Sequence, residues 1–140
     1  MGAWAVGNFE NDDALDWVSD IIESSGIEKL LFPINSVLSN QEYLESSICS
    51  EALVSIEIIS AYKNADFSNV PEEVKIWLST KKGFLFGKKP EFTSTHIKLA
   101  KQALEKITSS SELKELWKDS EHFEEWCGIQ NKLGQSLENA

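Results

Sequence analysis

Arginine is absent from the 140 residues, and all thirteen basic side chains are lysines. The guanidinium fork is the usual device for gripping phosphate or carboxylate with two parallel hydrogen bonds, so its absence weighs against a phosphate-handling enzyme. Cysteine is scarce: Cys49 and Cys127 stand beside Ile48 and Trp126 in apolar helical patterns. They read as two buried thiols in a reducing cytosol, and nothing in the sequence implies a bridge between them. Histidine is equally scarce, and His96 and His122 belong to no HExxH or Cys/His metal pattern. No G-x-S-x-G turn presents a serine nucleophile. No apolar run is long enough to span a bilayer, and the start lacks the basic region and apolar run of a secretory leader, so a cytoplasmic location is expected. Myristoylation of Gly2 is not indicated, because Val6 stands where Ser or Thr is wanted.

What is present is an ordinary globular composition. Hydrophobic residues make up 41% and charged residues 26%, which excludes a disordered chain and suits one domain with its own core. Five Trp and seven Phe supply large apolar surfaces. The net charge of −10 is unevenly placed: residues 1–80 hold fourteen carboxylates and three lysines, whereas residues 81–140 hold nine carboxylates and ten lysines. The first 28 residues carry seven acids and no base. A field of that sign repels nucleic acid and anionic membrane and attracts basic partners, although acidity also serves solubility alone.

Periodicity reads as an all-α fold of six or seven short helices in a single compact domain, residues 1–140, with an irregular N-terminal arm anchored by Trp4 and Phe9. Asn11 caps a helix of about residues 12–25 whose apolar face is Leu15, Val18, Ile21 and Ile22, ended by Gly26. Over residues 27–38 the spacing of Leu30, Leu31, Ile34, Val37 and Leu38 suits a helix, which Pro33 is expected to kink or split. Residues 47–64 form the strongest helix, apolar on more than one side and therefore central. Pro71 in a first turn opens a helix carrying Val74, Trp77 and Leu78. Residues 81–92 read as a loop or short hairpin. Thr93 or Ser94 caps a helix with the stripe Ile97, Ala100, Ala103, Leu104 and Ile107. Ser111 caps a short one with Leu113, Leu116 and Trp117, and Ser120 caps the last, with Phe123, Trp126, Cys127, Ile129, Leu133 and Leu137.

Within this frame a few side chains stand out. Asp13, Asp16, Asp20 and Glu23 recur at helical spacing and make an acidic patch for a basic protein surface; the plainer reading is capping plus a solvated face. Glu57 lies within an apolar helix, where an unpaired carboxylate is costly. Its expected partner is the N-terminal arm: the amine of Gly2, a backbone N–H or the Trp4 indole. Otherwise it is an exposed acid on the far face. Trp4, Glu57, Trp117 and Trp126 are the expected structural residues. Glu112, Glu115, Glu121, Glu124 and Glu125 form a second acidic region, interrupted by Lys114 and Lys118 and better read as a solvated face. The pairs Glu42…Glu45 and Glu121…Glu124 have the spacing of Mg²⁺-binding helical acids, but the second pair does not end in Asp as such sites require. The run Lys81-Lys82-Gly83-Phe84-Leu85-Phe86-Gly87-Lys88-Lys89 is one residue short of a P-loop, with Lys89 in place of Ser or Thr.

The start, Met1-Gly2-Ala3-Trp4-Ala5-Val6-Gly7-Asn8-Phe9-Glu10-Asn11-Asp12-Asp13-Ala14-Leu15-Asp16, resembles the opening of a family of small bacterial proteins, domain of unknown function number forty-two fifty-nine. The likeness continues over Ser50–Glu57, Val70–Trp77 and Ser111–Trp117, with Ala5 departing from the family's usual Gly. The family label implies relatives and a shared fold but no activity. By analogy, small acidic proteins of this kind are candidate immunity proteins of bacterial toxin systems. The expectation is therefore a non-enzymatic binding protein with no cofactor or metal, whose partner is a basic toxin domain such as a nuclease, and not nucleic acid or membrane. The alternatives are a Mg²⁺-dependent hydrolase of a phosphate compound and a general interaction module.

Overall fold

The computed structural model describes residues 3, 5–24, 27–79 and 92–140. Among them lie seven α-helices and no strand, in the order α1 (Asp12–Glu23), α2 (Ile27–Ser39), α3 (Ser46–Asn64), α4 (Glu72–Ser79), α5 (Ser94–Ser109), α6 (Glu112–Lys118) and α7 (Phe123–Glu138). The all-α reading holds. Trp4, Gly26 and the Lys81–Lys89 run lie outside the described residues.

Helix α3 is the axis of the molecule, packed against α1, α2, α5, α6 and α7. Cys49, Ala52, Leu53, Val54, Ile56, Ile58 and Ile59 are all buried, on more than one side as the pattern predicted. Its β-branched residues lose side-chain freedom in a helix, a small cost beside roughly 1.5–3 kcal/mol for each large apolar side chain buried. Cys49 is a free thiol, and burial pushes it up to about 11, so it is inert at neutral pH; Cys127 is free and half-buried.

Helix α1 begins as expected, with Asn11 Oδ1 accepting from the Ala14 N–H at 2.8 Å. Its buried face, however, is Ala14, Trp17, Val18 and Ile21, while Leu15 is 39% exposed. The helix is rolled to bury Trp17, whose indole covers more apolar area than a leucine and whose Nε1 donates to Ser55 Oγ of α3 at 3.0 Å.

The expected break at Pro33 does not occur: α2 runs unbroken, with Pro33 itself buried. Proline removes one backbone hydrogen bond and crowds the preceding turn, at about 3 kcal/mol. Burial of Leu30, Ile34 and Val37 outweighs that cost. Lys106 of α5 also donates to the carbonyls of Val37 and Asn40, satisfying the C-terminal end of the helix with a cation.

The remaining helices follow their stripes. Val74, Trp77 and Leu78 of α4, and Ile97, Ala100, Ala103, Leu104 and Ile107 of α5, are buried. Thr93 and His96 form a reciprocal capping box, so His96 is a helix-start residue rather than a ligand. Ser111 caps α6 as expected, and Glu112 reaches across to the Ser46 N–H at 2.8 Å, capping α3 from outside. Trp117 and Trp126 are buried in the core, whereas Leu116, expected in the same stripe, stays on the surface. Helix α7 starts later than the serine signal indicated. His122 is its N-cap, and Ser120 Oγ accepts from the His122 N–H two residues downstream.

Candidate binding surfaces: an acidic face and a carboxylate-floored groove

Two regions bring the singled-out residues together. On α1, Asp16, Asp20 and Glu23 are exposed and Asp13 is half-buried, outside the buried set of Ala14, Trp17, Val18 and Ile21. The packing of α1 across α3 adds a residue that the sequence did not single out, Glu51. Burial first, and then the charges of Asp13 and Asp20, push the Glu51 carboxyl above its ordinary value. The charges of Asp13 and Asp20 on α1 are thus close enough to act on Glu51 of α3. Among the described residues the ion pairs are Lys101 with Glu138 and His122 with Glu125, and neither touches this face. The second acidic region behaves as a solvated surface: Glu115, Glu121, Glu124 and Glu125 are exposed, and Glu112 is occupied in capping α3.

The other region is a groove of about 600 Å³ where the N-terminal arm, the end of α3, the following turn and α7 meet. Its shape depends on the exit of α3. Ala65 takes a left-handed conformation (φ 53°, ψ 36°), and the N–H groups of Ala65 and Asp66 bond back to Tyr62 and Ala61. This is a Schellman-type cap with alanine where glycine is usual. Asp66 then accepts from both the N–H and the hydroxyl of Ser68, which closes the turn and holds its carboxyl below the ordinary range. Across the groove, the Asn64 amide donates to the Ser136 carbonyl at 3.0 Å, tying α3 to α7.

Glu57 lines this groove, half-buried. The N-terminal arm does reach it, as one of the sequence alternatives held, but through a side chain not considered there: Asn8 Nδ2 stands 3.5 Å from Glu57 Oε1. That contact is long, because Asn8 is committed elsewhere. It exchanges hydrogen bonds with Gln130 of α7, at 2.8 Å in one direction and 3.2 Å in the other. Burial pushes the Glu57 carboxyl up from an ordinary 4.5 to about 7, with the Asn8 contact opposing only in part. Glu10, Asp66 and Lys132 are the other charged groups along the groove, and Val70, Ile129 and Leu133 are among its apolar lining. Gln130 is 2% exposed and was missed in the sequence, where its position in the α7 stripe was assigned to apolar neighbours.

The paired-carboxylate spacings do not converge. Among the described residues no three His, Cys, Asp or Glu side chains form a group that could hold a metal ion.

The sequence model of one family, described as Domain of unknown function (DUF4259), matches residues 2–128. The chain belongs to this family. No curated protein and no solved structure matches it. In this DUF4259 chain the arm whose residues carried the resemblance builds one wall of the groove. Gly7 donates to Glu10 Oε1 at 3.1 Å, Asn8 and Phe9 are buried, and Asn11 caps α1. No helix among the described residues is long and apolar enough to cross a membrane.

Proposed function

We propose that this protein is a non-enzymatic binding protein that docks a basic protein partner through the α1–α3 face, most concretely an immunity protein that neutralises a bacterial toxin nuclease. The observation that carries the reading is the concentration of Asp13, Asp16, Asp20, Glu23 and Glu51 on one face, with no lysine in ion-pair contact among the described residues. Uncompensated like charge costs stability within the chain and is repaid when a complementary surface arrives. A nuclease must hold phosphates in a basic cleft, so an acidic face opposes the same feature that the enzyme uses on its substrate.

Purification of the tagged protein with its bound partner from its native host supplies the first test. A single stoichiometric basic partner released by high salt, whose nuclease activity the protein suppresses, supports the proposal. The double variant Asp16→Lys, Asp20→Lys is then expected to slow association by roughly tenfold or more at low ionic strength while leaving dissociation nearly unchanged. Unchanged association kinetics would remove the α1–α3 face from the interaction.

A further inference from the structure

We infer that the groove between the N-terminal arm, the end of α3 and α7 is a binding site for a small aliphatic ammonium ligand, with the Glu57 carboxylate as its anchor. This inference is independent of the α1–α3 face.

Three observations converge on the groove. Its volume of about 600 Å³ lies within the range of small-ligand sites, and its lining includes the half-buried carboxylate of Glu57. That carboxylate is under-supplied with donors. Asn8 reaches one oxygen at 3.5 Å while bound reciprocally to Gln130, and no lysine lies within ion-pair distance among the described residues. A half-buried carboxylate in this condition gains most from a donor that also carries positive charge. The third observation is the balance of the walls. Glu10 on the arm and Asp66 after α3 face the groove against one cation, Lys132 on α7, so with Glu57 ionised the charge is −2. Val70, Ile129 and Leu133 also line the groove and give apolar surface that suits a methylene chain. Phe9 is buried in the core and offers no open aromatic face on which a sugar ring would stack.

The site is coupled to protonation. An ammonium group stays charged throughout the neutral range, whereas a carboxyl that titrates near 7 must lose its proton before it can pair with a cation. The other charged groups lining the groove are the acids Glu10 and Asp66 and the base Lys132. Binding therefore releases a proton from Glu57 near neutrality and strengthens about tenfold from pH 6 to pH 8.

The test compares 1,5-diaminopentane with 1,5-pentanediol, which have the same chain length and differ in charge. Binding is followed by calorimetry, and by the amide shifts of the full-length protein in solution. The diamine is expected to bind with shifts centred on Ser60, Asn64 and Leu133, and the diol not to bind. Glu57→Gln is expected to weaken the diamine at least about tenfold, the cost of losing one charge-assisted contact. Lys132→Ala, a change at an exposed position, is expected to tighten it severalfold. The variant Asp16→Lys, Asp20→Lys is expected to leave it unchanged, which separates this site from the docking face. Equal binding of diol and diamine, shifts centred on α1, or a Glu57→Gln variant that binds as well as the parent would each overturn the inference.

Discussion

Replacing Glu57 by glutamine separates the cost of burying a charge from every other contribution to stability, because the amide keeps the shape and loses the titration. An acid whose folded value is raised binds its proton more tightly in the folded than in the unfolded state. Its ionisation therefore opposes folding, and stability falls as pH rises from the unfolded value through the folded one. For Glu57 that window runs from 4.5 to about 7. The full difference corresponds to about 3.4 kcal/mol, an upper bound for a wholly dry site. Because the carboxyl opens onto a groove and is only half-buried, solvent screening reduces this to about 2 kcal/mol. Urea unfolding of the parent and of Glu57→Gln, followed by tryptophan fluorescence at pH 5 and pH 8, measures it. At pH 5 the folded parent holds a neutral carboxyl, and the two proteins should be about equally stable. At pH 8 the variant should be more stable by about 2 kcal/mol, or roughly 5–8 °C in Tm for a chain of this size. Differencing against the parent cancels the general loss of stability as the rest of the acidic chain ionises. A gap between the two proteins that is the same at both pH values would refute the reasoning, since a packing or hydrogen-bond effect has no reason to titrate in that window.

Other substitutions test the framework around the site. Ala65→Gly should stabilise the protein by about 0.5–1 kcal/mol, because alanine is strained at a left-handed φ while glycine loses part of that gain to its looser unfolded chain; thermal melts read it directly. Lys106→Met should cost about 1.5–3 kcal/mol by leaving the Val37 and Asn40 carbonyls without their donor, and hydrogen exchange should show the last turn of α2 opening first. Asn8→Ala should cost about 1–3 kcal/mol by leaving the buried Gln130 amide unpaired, and the loss should be read in denaturant midpoints at fixed slope.

Much of the architecture was legible because helical periodicity reports local burial. The stripes of α5 and α4, the capping residues Asn11, Thr93 and Ser111, and the central position of α3 all follow from residue spacing alone. The failures share a cause: each depends on what another element contributes. Leu15 and Trp17 compete for one face of α1, and the decision rests on Ser55 waiting on α3 to accept the indole proton. Pro33 stops a helix in isolation, but not one whose end is held by Lys106 from sixty-nine residues away along the chain. Glu51 carries no signal as part of an acidic patch until α1 is laid across α3. Gln130 looks like a surface residue among apolar neighbours, and only its reciprocal amide pair with Asn8 explains its burial. Buried side-chain pairs distant in sequence are where one-dimensional reading runs out.

The two acidic regions also differ in how solvent treats them, and this gives each its own experimental handle. The α1–α3 face is mostly exposed, so its attraction for a partner is long-range and collapses as salt shortens the screening length. The groove holds a single half-buried carboxyl whose interaction with a bound cation is short-range and much less screened, but whose charge depends on pH near neutrality. Raising salt at constant pH should therefore release a docked partner while sparing a groove ligand. Lowering pH from 8 to 6 at constant salt should weaken groove binding about tenfold while leaving the exposed face largely in place. A partner lost under both conditions would have to engage both regions at once. Such a partner would insert a lysine side chain at Glu57 from a basic surface that also reaches α1, and its binding would then show a salt slope and a proton release together.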